Sequence, residues 1–260
     1  MAGNVPSRLI GELTFQEVSQ RLRPTSILCL PIGSIEQHGP HLPLNTDAVL
    51  AEEFTRRIII RWSTTYDLWQ LPTLTVSLAR EHEWAPGTLS LSIQGMTALV
   101  RDLGREIARG FPTHNLAIIN GHGGNRGILE ALTQDLRADF DLNVCVLHPA
   151  AWAEASNTTV PEIHGGKNET SMMLAIAPHL VRRDQIPQKI NLVADAVRTT
   201  VLDQAVTWPW TSSEALIADV GVIGDPKTAS AQLGEQLLDQ VAKNAGSVFK
   251  QLLDRQHLER

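Results

Sequence analysis

Three short apolar runs constrain the fold most: "SILCLPI" (26–32), "NLAIIN" (115–120) and "NVCVLH" (143–148). Each is apolar at nearly every position over a few residues, as a strand buried on both faces would be. "LWQLPTLTV" (68–76) reads as a further strand. Between and after these runs lie segments of helical character. Thr14, with Glu17 three residues on, forms a capping box that predicts a helix over about 14–22. "DAVLAEEFTRRIIIRW" starts a helix at Asp47, and "SIQGMTALVRDLGREIARG" (92–110) is amphipathic, with Ser92 as N-cap and Gly110 as stop. "RGILEALTQDLRADF" and the shorter "ETSMMLAIA" are helical as well. A less regular segment, about 183–225, carries most of the remaining Pro and Trp, and a final helix is expected from Pro226 to Glu259. Strand and helix alternate with short connections. The fold class expected is therefore α/β: a single domain over 1–260 with a mostly parallel sheet flanked by helices on both faces.

Composition narrows the function. An apolar content of 43% supports a core of normal size, and 260 residues suit one large α/β domain or two small ones. The net charge of −6 argues against a nucleic-acid partner, because phosphate binding needs a basic face. No run approaches the ~20 apolar residues of a membrane span, and "MAGNVPSRLIGEL" lacks the apolar centre of a signal peptide. Cys29 and Cys145 both sit in apolar runs and read as buried free thiols, which fits a reducing, cytoplasmic setting.

The polar clusters carry the chemistry. "IEQHGPHLPLNTD" (35–47) packs Glu36, His38, His41 and Asp47 together with no Lys or Arg to neutralise the acids. Glu36 and His38 are two apart, so an extended segment points them to one side. Carboxylate, imidazole and carboxylate suit Zn²⁺, Mn²⁺ or Fe²⁺. Taken alone, Asp47 is equally a helix N-cap, and His38 or His41 a satisfied loop histidine. "NGHGGN" (120–125) places His122 on a Gly-rich turn between strand and helix, where the plainer alternative is a phosphate cradle. Both clusters follow buried strands, and a parallel sheet binds ligands at that edge.

"IHGGKNETS" (163–171) adds His164, a candidate general acid/base, and Glu169, which is a metal ligand, a carboxylate behind one, or a complement to the helix dipole. "AREHEWAPGT" carries His82, Glu83 and Trp84 and reads as a substrate-lining loop, with His82 open to roles as ligand, acid/base or surface residue. Trp152 is a further candidate for substrate contact, whereas Trp208 and Trp210 read as a packed loop or subunit contact. His114, His148, His179 and His257 stand outside any cluster and read as structural or solvated.

"GSIEQHGPHLPLNTD", "PGTLSLS", "NGHGGN", "HGGKNETSMMLA" and "GVIGDPKTASAQLGEQLL", in this order, resemble the creatininase family over nearly the whole chain. The resemblance implies a single α/β domain, often hexameric, and a metal-dependent hydrolase of unusual C–N bonds. It implies Glu36, His38, Asp47 and His122 as ligands of two divalent ions, with Asp47 bridging and His164 handling protons. A metal-bridged hydroxide would attack an amide carbon, since metal binding lowers the pKa of water from about 15.7 towards 7. Family chemistries include opening the creatinine ring, removing a formyl group, and trimming the mycofactocin precursor peptide. True creatininase has "NGHYEN" at the turn, so its tyrosine is Gly123 here and its second-metal glutamate is Gly124; Glu169 or water would fill that vacancy. Its flap tryptophan is Val160 here. The expected substrate is therefore a small cyclic amide or formamide other than creatinine, with a peptide terminus as the alternative. A non-catalytic metal-binding protein is the remaining rival.

Overall fold

The structure, a computed structural model, describes residues 7–153, 160–203 and 205–258. Four strands, β1 (Ile27–Ile32), β2 (Leu68–Gln70), β3 (Asn115–Asn120) and β4 (Asn143–Leu147), form one sheet in the order β2-β1-β3-β4, every pairing parallel. Ile27 lies opposite both Leu68 and Asn115, and Asn115 opposite Asn143, so the strands start level. The helices among the described residues are α1 (Phe15–Arg21), α2 (Thr46–Trp62), α3 (Ile93–Gly110), α4 (Arg126–Phe140), α5 (Lys167–Ile176), α6 (Ala194–Thr200), α7 (Ala231–Asn244) and α8 (Gly246–Leu258).

Alternation along the strands divides the core in two. Ile27, Cys29, Ala117 and Ile119 face a core completed by α2, α5, α7 and α8. Leu28, Leu30, Ile32, Leu116 and Ile118 face a second core, completed by Met96, Val100 and Ile107 of α3 and Leu129, Leu132 and Leu136 of α4. The single α/β domain with helices on both faces is thus as expected. A small satellite cluster of Val197, Ile217, Ala218 and Ile223 organises the less regular segment. No helix among the described residues is long and apolar enough to cross a membrane.

From β1 the chain moves to β2 on one side and then to β3 on the other. The crevice of such a sheet opens where this reversal occurs, beyond the ends of β1 and β3. Two glycines let α2 into that crevice. A Cβ on Gly33 would lie 2.4 Å from the Ala48 Cα, and one on Gly121 would lie 2.7 Å from the Asp47 carbonyl oxygen.

Several elements depart from their predicted bounds. The run 68–76 is a strand only to Gln70; Pro72 has no N–H to donate, and Leu74 returns as a single bridge to Ile32. The final helix is divided into a 3-10 turn (Pro226–Thr228), α7 and α8. Trp62 Nε1 donates to the Ala242 carbonyl at 2.7 Å, an acceptor that a continuous helix would offer to the amide of Gly246. The predicted end at Glu259 and the side chain of His257 lie outside the described residues. Cys29 is buried and Cys145 only partly so; both are free. The capping box stands: Glu17 N donates to Thr14 Oγ1 (3.3 Å) and Thr14 N to Glu17 Oε2 (2.9 Å).

Candidate metal centre and active-site cleft

The loop after β1 carries Glu36 and His38, and the first turn of α2 carries Asp47. His122 caps the turn after β3. His164 sits on a bridge to Ile223, and Glu169 is in the first turn of α5. Gly39, at φ +71°, turns the first loop back; a Cβ there would meet Val222 at 2.5 Å.

These groups converge. His122 Nδ1 lies 2.9 Å from Asp47 Oδ2 and 3.2 Å from Glu36 Oε2. His38 Nε2 lies 3.1 Å from Asp47 Oδ1 and 3.8 Å from Glu169 Oε2. On its far side, His38 Nδ1 donates to the Glu36 carbonyl at 3.2 Å, which leaves Nε2 free to ligate. His164 Nδ1 and His82 Nε2 approach Glu36 Oε1 at 3.6 and 3.4 Å. Three overlapping groups bring their donor atoms within 4.8 Å of one another, close enough to share an ion: Glu36–Asp47–His122, His38–Asp47–Glu169 and Glu36–His38–His164.

A cation fits this arrangement on its own physical terms. Both Glu36 carboxylate oxygens and Asp47 Oδ2 are buried without a hydrogen-bond partner. Buried carboxylate oxygens that no hydrogen bond satisfies are costly even beside an imidazole, and a divalent ion with nitrogen and oxygen donors offsets that cost.

The electrostatics reflect the crowding. Burial, with Asp47 adding to it, pushes Glu36 up to about 6 against the pull of His122 and His38. Burial pushes Glu169 up to about 7. Asp47 is buried too, but His38 and His122 hold its carboxyl below the ordinary range. Burial disfavours the charged form of His38, but Asp47 outweighs it and raises the group to about 10. His122 is likewise raised, chiefly by Glu36 and Asp47, despite burial. His164 and His82 go the other way: burial holds His164 well below its usual value and His82 near about 3. His164 Nε2 donates to the Gln37 carbonyl at 2.6 Å, so its Nδ1 carries the lone pair facing Glu36.

Asp47, His122, His164 and Glu169 of the cluster line a cleft of about 840 Å³. Gly123 and Gly124 line it, and a Cβ on Gly123 would meet nothing within 4 Å. Arg80, Arg126, Leu202, Trp208 and Trp210 line its walls. Trp208 and Trp210 thus face the cleft rather than forming only a packed loop. Trp152 does not line it; it follows β4 on a 3-10 turn and packs against the larger core. Trp84 lies beside the cleft, its indole N–H donating to Ser212 Oγ at 2.8 Å. His41 serves packing, with Nε2 2.8 Å from Thr170 Oγ1. His148 is tied to Asn120 and Glu130.

Three residues of the site carried no assignment from sequence. Gln37 Nε2 donates to the Gly221 carbonyl (3.0 Å) and to Ser212 Oγ (3.1 Å). Ser212 Oγ also meets His82 Nδ1 at 2.7 Å, tying the Trp-bearing loop to the cluster. Glu81 Oε1 lies 3.4 Å from His122 Nε2. Burial opposes ionisation of Glu81, but His122 beside it holds the carboxyl below its usual value.

A sequence profile of the creatininase family, described as creatinine amidohydrolase, matches residues 11–249. The mycofactocin precursor peptide peptidase of Mycobacterium ulcerans (strain Agy99) is 29% identical over 244 residues, covering 92% of this chain and 90% of that protein. The creatinine amidohydrolase of Pseudomonas putida is 29% identical over 269 residues, covering 94% and 97%. The solved structure of a point mutant of creatininase, Zn–Zn type, superposes with a TM-score of 0.74 at 26% identity, covering 94% of this chain and 98% of that one. By sequence and by fold, this chain belongs to the creatininase family of hydrolases.

Proposed function

We propose that the protein is a metal-dependent amidohydrolase that cleaves an amide bond in an extended substrate, the end of a peptide being the class that fits best. The observation that carries this reading is the shape of the cleft. It measures about 840 Å³ and is lined by Asp47, His122, His164 and Glu169; Glu81 occupies the room beside Gly124, while Gly123 in the same lining faces open space. A small flat ring would need walls there to hold it in a reactive orientation. The similarity to mycofactocin precursor peptide peptidases supports the same choice.

In this reading Glu36, Asp47 and His122 hold one ion, and His38, Asp47 and Glu169 hold a second. The Zn–Zn label of the structural relative supports zinc as one candidate beside Mn²⁺ and Fe²⁺. Ions bound there supply Lewis acidity towards a carbonyl oxygen and lower the pKa of water. Asp47 presents one oxygen to each group, and Glu36 adds charge that favours cations. His164 is neutral, and Gln37 fixes its tautomer with Nδ1 as acceptor. It can take a proton at Nδ1 and return it to the leaving nitrogen. Trp208, Trp210 and Leu202 give the substrate apolar surface, while Arg126, paired with Glu130, and Arg80, beside Glu83, give the walls a mixed charged rim. The expected assembly is a cytoplasmic homo-oligomer.

A panel assay for released amine tests the reading. Metal-loaded protein should release amine from peptides with a free terminus faster than from cyclic amides or formamides. Turnover confined to the small amides would replace the peptide reading with that of a small-amide hydrolase.

A further inference from the structure

His122 has one ring nitrogen in the cluster and one behind it. Nδ1 faces Asp47 and Glu36, while Nε2 is buried without a hydrogen-bond partner. The group behind Nε2 is Glu81, with Oε1 at 3.4 Å. That separation is long for a hydrogen bond but within ion-pair reach. Room for this carboxylate exists because residue 124 is glycine. A Cβ there would lie 2.3 Å from Glu81 Oε1 and 2.5 Å from His122 Nε2.

The backbone around Glu81 is held in place. Leu78 N donates to Asn125 Oδ1 at 3.2 Å, linking this segment directly to the His122 turn. Ser212 N donates to the Glu81 carbonyl at 3.0 Å. The next residue, His82, turns towards Glu36 instead, and Glu83 is exposed beside Arg80. The neighbouring residues of this 3-10 turn thus contact the centre from two sides, and Glu81 alone reaches the back of His122.

We propose that Glu81 is a positioning residue for the metal centre: its carboxylate accepts the Nε2–H of His122 and holds Nδ1, with its lone pair, towards Asp47 and Glu36. Gly124 is the residue that admits it. A histidine ligand is oriented by the partner of its other nitrogen, and losing that partner typically weakens metal affinity 10–100-fold. The inference rests on reading the cluster as a metal centre, and the test separates the two.

The full chain is stripped of metal and titrated with Co²⁺, reading both the dissociation constant and the visible absorption of the bound ion. Native protein, Glu81→Ala, Glu81→Gln, Gly124→Ala and the remote surface control Glu106→Ala are compared. A Cβ in Gly124→Ala would crowd both the Glu81 carboxylate and His122 Nε2, so that variant tests the need for a small residue at 124, while the contact itself is read from Glu81→Gln against Glu81→Ala. Glu81→Ala and Gly124→Ala should bind Co²⁺ about 10–100-fold more weakly, with shifted absorption bands and unchanged stoichiometry at saturation. Glu81→Gln retains an acceptor oxygen and should recover most of the affinity, and Glu106→Ala should match native protein. Native-like affinity and spectrum in both alanine variants would overturn the proposal. So would loss of a whole ion, which would make Glu81 a ligand, or a Glu81→Gln variant as impaired as Glu81→Ala. Native protein that takes up no Co²⁺ would overturn the metal-centre reading and this one together.

Discussion

Asp47 Oδ2 lies 2.9 Å from His122 Nδ1, although the two residues come from different strand–helix units of the sheet. The other oxygen of the same carboxylate lies 3.1 Å from His38 Nε2. One side chain in the first turn of α2 therefore connects the loop after β1 to the turn after β3. This requires α2 to lie close against the sheet edge, which Gly33 and Gly121 permit.

Gly33→Ala should therefore damage stability and site together. Its Cβ would fall 2.4 Å from the Ala48 Cα, a backbone atom with little freedom to move. Overpacking of this kind costs about 1–3 kcal/mol, sometimes more. The urea midpoint should fall, and metal affinity should fall with it as Asp47 is displaced. An unchanged midpoint would show that α2 does not depend on that close approach.

His164→Ala should leave metal content nearly intact and lower kcat by roughly 10²–10⁴, the usual worth of positioned acid/base catalysis. Metal analysis beside steady-state kinetics checks this. If the variant lost metal in proportion to activity, His164 would be a ligand, in keeping with its place beside Glu36 and His38.

Metal binding should release protons. In the metal-free site His38 is raised to about 10 and His122 well above its usual value, so both imidazoles hold a proton at pH 7. Ligation requires the neutral ring, so the proton must leave, and affinity rises with pH through the neutral range. Calorimetric titration with Zn²⁺ in buffers of different ionisation enthalpy should show release on the order of one to three protons per chain at pH 7. No release would mean that these imidazoles do not ligate.

Much of this site was legible in the sequence because its residues follow strands whose pattern is unmistakable. "SILCLPI" and "NLAIIN" read as buried strands, so Glu36, His38, Asp47 and His122 could be assigned to one sheet edge before any fold was known. Glu81 was not legible. "EHE" offers two glutamates around His82, and only the direction of the 3-10 turn decides which one points inward. The meaning of Gly124 was hidden for the same reason, since its empty volume is used by a residue over forty positions away. Trp208 and Trp210 lie in a segment with no period to indicate which way they face. The break before α8 depends on Trp62, a long-range partner of Ala242 that local sequence does not reveal.

Creatinine should be a poor substrate. Gly123 faces open space, so no side chain at 123 can wall in a small ring over the cluster. Steady-state assays of metal-loaded protein should give a kcat/KM below about 10⁴ M⁻¹s⁻¹, the lower end of what enzymes show towards their own substrates. A higher value would mean that other groups in the cleft, such as Trp210, hold the ring.

The shared role of Asp47 is tested most directly by metal analysis of native protein and Asp47→Ala, each reconstituted with excess Zn²⁺ and freed of unbound metal. Native protein should retain two ions per chain, as a two-metal site requires. Asp47→Ala should lose at least one ion together with hydrolytic activity. Two ions still bound per chain in Asp47→Ala would contradict the bridging carboxylate.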